Sequence, residues 1–245
     1  MTYCVGMRLN NGLVFMSDTR TNAGVDNISS FCKMRTFSEP GERFITILSA
    51  GNLATTQAVI SKLEERNKAP EDRAPSIMQA PTMFQIARLV GDMLKETIAE
   101  NAMTGQRADA TFNATLILGG QIKGSEPRLF LVYPEGNFVE ASDDTPFFQI
   151  GETKYGKPIL VRAFEPDMTW EQATKLLLVS FDSTIKANLS VGLPLDLQVY
   201  ETDTFQQGLR RRIAADDASY HAISNGWGTA LKSAFDSLPD IDLNS

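Results

Sequence analysis

Apolar residues open this chain in near-continuous runs and return later at helical spacing. Tyr3-Cys4-Val5-Gly6-Met7-Arg8-Leu9 and Leu13-Val14-Phe15-Met16 are almost unbroken runs, the pattern of strands buried on both faces. Asn10-Asn11-Gly12 between them carries hairpin-turn chemistry. Side chains alternate along a strand, so Thr2, Cys4 and Gly6 share one face. Residues 31–37 read as a third strand, and residues 43–49, after the turn signal Glu39-Pro40-Gly41, as a fourth.

Val59, Ile60 and Leu63 then form an apolar stripe on a helix over about residues 53–67. Pro70, Pro75 and Pro81 mark a linker within the domain. Ile86, Val90, Met93, Leu94 and Ile98 repeat at helical spacing, predicting a helix over about 83–101. Strands follow at 112–118, ended by Gly119-Gly120, and at 128–133, with shorter ones at 137–141 and 147–150. A short helix is expected over about 155–164. Thr169 and Gln172, spaced as a capping box, open another that runs to about Ala187. A late strand covers 195–202 and a last helix about 217–235. No repeat and no clear interdomain linker appears.

Strands in hairpin-linked runs, separated by helix pairs, favour an α+β domain over a doubly wound one. Two sheets covered by helix pairs give four layers, an αββα sandwich. We expect residues 1–205 to form the main domain, with 206–245 packed on it or extending it.

Charge and composition narrow the function. The net charge is −7, from 23 basic and 30 acidic residues, which argues against a nucleic-acid surface. Arg210-Arg211-Arg212, next to Asp216-Asp217, reads as a solvated face. Two cysteines, Cys4 and Cys32, outside any metal-spaced cluster, and the single His221 argue against a His/Cys zinc site, and no EF-hand pattern marks a carboxylate-bound cation. We expect both cysteines to be packing residues and His221 to be a surface or satisfied core residue. No basic n-region and no membrane-length apolar run is present. The expectation is a soluble, cytoplasmic protein with no metal or cofactor.

The candidate chemistry lies at the start. Once Met1 is removed, Thr2 carries a hydroxyl and a free amine, a nucleophile and a base on one residue. Asp18 and Lys33 can complete a charged site around it. Each of the three alone has a blander reading: a common start, a turn residue and an exposed lysine.

Together with Ser17-Asp18-Thr19-Arg20, Cys32-Lys33-Met34, Ser49-Ala50-Gly51-Asn52-Leu53-Ala54 and Met168-Thr169-Trp170-Glu171-Gln172-Ala173, they form an ordered set. That set resembles the N-terminal nucleophile hydrolases. Within them it is similar to proteasome β-type subunits, above all the bacterial Anbu (ancestral beta subunit) group, related to HslV. The resemblance covers about residues 2–205.

The resemblance implies a threonine-type endopeptidase. Thr2 Oγ1 would attack a peptide carbonyl and its α-amine, with a reference pKa of roughly 8, would act as base. Lys33 would favour the neutral amine, Asp18 would hold Lys33, and the Gly51 N–H would face the oxyanion. Ser190 would support the amine. Arg20, Thr21, Ser49 and Leu53 would line the substrate channel. Two positions depart from the proteasome pattern: Ala187 stands where an Asp is expected and Glu152 where a Ser is. The implied partners are a peptide or unfolded-protein substrate and further copies of the chain, in a closed ring or an open helical one. An ATPase partner is left open. So are two other readings: a non-catalytic assembly or binding subunit of the same fold, and an amidase acting on a non-peptide amide.

Overall fold

The structure is a computed structural model that describes residues 2–22, 28–68, 75–103 and 112–243. Met1 and Pro70 lie outside the described residues. Two five-stranded antiparallel sheets stack face to face.

The first sheet contains β1 (Tyr3–Leu9), β2 (Gly12–Asp18), β10 (Phe147–Gly151), β11 (Leu195–Glu201) and β12 (Arg210–Ile213), in the order β10-β1-β2-β11-β12. The second contains β5 (Met34–Glu39), β6 (Arg43–Gly51), β7 (Ala114–Ile122), β8 (Arg128–Val132) and β9 (Phe138–Glu140), in chain order. A small hairpin, β3 (Arg20–Asn22) and β4 (Ile28–Ser30), stands beside them.

Three apolar clusters give four layers. Cys4, Leu13 and Phe15 meet Phe44, Leu48 and Ile117 between the sheets. Ile45, Ile47 and Leu118 pack on helices α1 (Leu53–Lys68) and α2 (Met83–Met103). Tyr3, Val5 and Met7 pack under α3 (Thr153–Ala163) and α4 (Trp170–Ala187). β1 and β2 are thus buried on both faces, which explains their unbroken apolar runs. The expected α+β sandwich with αββα layering is the observed architecture.

Three local expectations change. The third strand begins at Met34 rather than 31, so Lys33 sits just ahead of it, and two short strands not expected from the sequence, Arg20–Asn22 and Ile28–Ser30, precede it. Gly119-Gly120 does not end β7, which runs through it. These glycines serve close approach: a Cβ at Gly119 would lie 2.6 Å from the Phe15 ring, and one at Gly120 would lie 2.1 Å from the Phe44 carbonyl oxygen. Arg210-Arg211-Arg212 forms an edge strand with its side chains exposed. Edge arginines of this kind discourage strand addition.

The capping box at Thr169 and Gln172 forms as expected. α5 (Ala218–Asp236) closes the fold against α4. There Asp182, buried on α4, accepts from Tyr220 Oη at 3.2 Å and Ser224 Oγ at 2.6 Å. Among the described residues, no helix is long and apolar enough to cross a membrane.

Candidate active site

Thr2 immediately precedes β1, and Asp18 ends β2 beside it. Pairing of Cys4 with Ser17 brings the next residues along, so the Tyr3 N–H donates to Asp18 Oδ1 at 3.0 Å. Lys33 Nζ donates to the same oxygen at 2.7 Å and to the Arg20 carbonyl at 2.6 Å. The Lys33 carbonyl accepts from the Ser49 N–H at 3.0 Å, which ties this residue to β6.

Asp18 is fully buried and Lys33 is 6% exposed. Burial pushes the Asp18 carboxyl above its ordinary range, opposed by the Lys33 ammonium and the Tyr3 amide. The Gly192 amide also opposes it, without closing a hydrogen bond of standard geometry to Oδ2, which has no partner among the described residues.

A cavity of about 450 Å³ opens beside Thr2. Gly51 lines it at the end of β6 with φ +114°, and a Cβ there would come within 2.4 Å of the Asn113 carbonyl oxygen. On the other side, Gly151 has φ +85° and leaves no room for a Cβ, which would lie 1.8 Å from the Thr2 carbonyl oxygen. That oxygen accepts from the Glu152 N–H at 2.7 Å, at the start of α3. So Glu152, standing where a serine was anticipated, holds the Thr2 backbone through its own main chain.

Thr2, Lys33, Gly51, Thr21, Ser49 and Leu53 line one cavity, and Asp18 lies behind them, bonded to Lys33. Arg20 does not join this wall. Its guanidinium donates to the Leu189 carbonyl at 2.9 Å and lies against Gly192, where a Cβ would be 2.2 Å away. Only its backbone carbonyl faces the site. Ser190 lies in the same loop, half-buried and not among the residues that line the cavity, with its N–H donating to Asn188 Oδ1 at 2.9 Å. Arg20 thus reaches the site by bracing the loop that carries Ser190 and Gly192.

Part of the wall was not anticipated. Cys32 lines the cavity, its Sγ donating to the Met34 carbonyl at 2.9 Å. Arg35 and one face of α1, Thr56, Gln57, Ile60, Ser61 and Glu64, also line it. These α1 residues recur at three- and four-residue intervals, so helical periodicity carried that signal once Leu53 was assigned to the channel.

A family profile described as "Proteasome subunit" matches residues 2–192. "Proteasome subunit beta 2" of Pyrobaculum neutrophilum is 27% identical over 199 residues, covering 80% of this chain and 87% of that protein. Solved structures are nearer. Anbu (ancestral beta-subunit) from Yersinia bercovieri is 48% identical with a TM-score of 0.92, covering all of both chains. Anbu from Hyphomicrobium sp. strain MC1 is 51% identical with a TM-score of 0.91, covering 99% of this chain and 100% of that one. A structure described as a helical assembly of the Anbu complex from Pseudomonas aeruginosa is 43% identical, with a TM-score of 0.91 and 99% coverage of each chain. With two stacked antiparallel sheets, a threonine ahead of the first strand and these matches along its length, the chain belongs to the proteasome subunit family, in its Anbu group.

Proposed function

We propose that this chain is a threonine peptidase that cleaves peptide bonds through Thr2 after loss of Met1. The observation that carries the proposal is the buried Asp18–Lys33 pair standing behind Thr2, with Gly51 on the same cavity wall. The free α-amine takes the proton from Oγ1 as that oxygen attacks the substrate carbonyl. The Lys33 ammonium keeps the amine neutral and favours the developing alkoxide. Asp18 holds Lys33 in place by their 2.7 Å contact. The Gly51 N–H is the assigned donor to the oxyanion. Collapse expels the amine half of the peptide, which takes up the proton, and leaves an ester on Thr2. Water, deprotonated by the same α-amine, then releases the acid half. This chemistry calls on no metal and no organic cofactor.

The substrate class is a peptide or unfolded protein, with one side chain entering the cavity between Thr21, Cys32, Ser49 and Leu53. The site works within an assembly of identical subunits in the cytoplasm. Support for the assembly is the helical one described for the Pseudomonas aeruginosa protein. Intact-mass measurement with a threonine-directed electrophile tests the proposal. The expected result is loss of Met1 and one adduct on Thr2, with adduct and peptide turnover both lost in Thr2→Ala. Retention of Met1, or full turnover by Thr2→Ala, overturns it.

A further inference from the structure

Tyr3 follows Thr2, yet its side chain has no part in the chemistry above. It points away from the cavity into the layer between the first sheet and α3–α4, with no exposure. A chain of hydrogen bonds of one polarity runs through it. Gln149 Nε2 on β10 donates to Tyr3 Oη at 2.5 Å. Tyr3 Oη meets Ser180 Oγ on α4 at 2.7 Å, and Ser180 Oγ donates to the Gly156 carbonyl on α3 at 3.2 Å. The tyrosine proton therefore goes to Ser180. The Tyr3 ring packs on Phe181 with centroids 4.5 Å apart.

Space has been kept for this chain. A Cβ at Gly156 would lie 2.3 Å from both Tyr3 Oη and Ser180 Oγ. Buried polar chains are costly unless every member is satisfied, and well-packed apolar residues would hold these layers together equally well. What the polar chain adds is a fixed position. Tyr3 donates its own N–H to Asp18 Oδ1, the atom that also receives Lys33 Nζ. The Thr2 carbonyl is held by the Glu152 N–H at the start of α3, the helix that carries Gly156. Thr2 and Tyr3 are thus pinned to α3 by two separate routes.

We infer that Tyr3 is a positioning residue: its phenol, held by Gln149 and Ser180 and through Ser180 by the Gly156 carbonyl, sets where Thr2 Oγ1 stands relative to Asp18, Lys33 and Gly51. The inference rests on Thr2 being the nucleophile. A misplacement on the order of 1 Å costs about a hundredfold in rate.

The test compares the rate of Thr2 acylation by the electrophile, and kcat and KM for a peptide, in wild type, Tyr3→Phe, Ser180→Ala and the double variant. Tyr3→Phe is expected to lose about ten- to a hundredfold in acylation rate and kcat. KM stays unchanged, because the Tyr3 side chain does not line the cavity. The double variant is expected to be no slower than Tyr3→Phe, since both changes cut one chain. The pH midpoint of acylation stays where it is, because burial holds the phenol neutral up to about pH 12.

A wild-type acylation rate in Tyr3→Phe, or a raised KM with unchanged kcat, overturns the inference. So does a shifted pH midpoint, which would place Tyr3 in proton transfer. If Tyr3→Phe does not fold, Ser180→Ala decides alone by the same criteria. Wild-type protein that takes no label on Thr2 removes the proposed function and this inference together. A labelled wild type with an equally fast Tyr3→Phe removes only the inference.

Discussion

Asp18 Oδ1 accepts from both the Tyr3 amide and the Lys33 ammonium in a place that water barely reaches. Two charges taken out of water are sustained by each other and by the groups around them. Removing one leaves the other buried and unpaired, at a cost of about 3–5 kcal/mol. Asp18→Asn and Lys33→Met are each expected to lose stability on that scale in urea unfolding. The double variant is expected to recover part of the loss, because no lone charge then remains buried. Additive losses would show that the pair is not coupled. At this scale Thr2, Asp18, Lys33 and Gly51 were named as candidates, with their roles taken from the family resemblance. The structure sets Thr2, Lys33 and Gly51 on one cavity wall with Asp18 behind it. Tyr3 was not legible, because a tyrosine in a buried strand reads as packing until its hydroxyl partners on two other elements, Gln149 on β10 and Ser180 on α4, are known.

At the scale of elements, α5 depends on its first turn. Asp217 caps it by accepting from the Tyr220 N–H at 2.9 Å, and its other oxygen meets Arg211 on β12 at 2.6 Å. The Tyr220 amide, with Arg211 beside it, holds the Asp217 carboxyl below its ordinary value of 3.8. A lowered folded-state pKa means that this contribution is fully present above pH 3.8 and is lost as pH falls through the lower value. Asp217→Ala is expected to cost about 1 kcal/mol at neutral pH. The difference between the variant and the parent should vanish in acid, as read from chemical denaturation at several pH values. A pH-independent difference would remove the cap from the account.

Elements also explain what local reading misjudged. Gly119-Gly120 resembles a strand stop, but the pressure on it comes from Phe15 on the facing sheet and from Phe44 on the adjacent β6. Lys33 sits just ahead of β5: its carbonyl still accepts from the Ser49 N–H on the neighbouring β6, while its ammonium is held by Asp18 and the Arg20 carbonyl.

For the molecule as a whole, residues 206–243 bear on the layers beneath them. β12 pairs along β11 from Leu195 with Ile213 to Gln198 with Arg210. Tyr220 and Ser224 supply two of the donors to buried Asp182, and Lys186 supplies a third contact at 3.0 Å. We predict that a chain ending at Phe205 leaves the β11 edge unpaired and Asp182 short of donors. It should melt several degrees lower, or aggregate, in thermal unfolding followed by size-exclusion chromatography. A truncated chain as stable as the parent would make 206–243 an appendage rather than part of the fold.

By itself the sequence determined the main run of strands and helices, though not the short β3, β4 and β12, together with the four-layer α+β class and the family resemblance. It also named Asp18, Lys33 and Gly51 as candidates beside Thr2. Hydrophobic period and turn chemistry act over a few residues, so they are readable without a fold. The tertiary structure alone decided that the Arg20 side chain braces the Leu189–Gly192 loop instead of lining the cavity, and that Ser190 sits in that loop. It decided that Cys32 and one face of α1 form the wall, and that Glu152 holds Thr2 by its main chain. Each of these depends on where segments far apart in sequence come to rest. Side-chain direction and cavity shape are set by packing between layers, which no local pattern encodes.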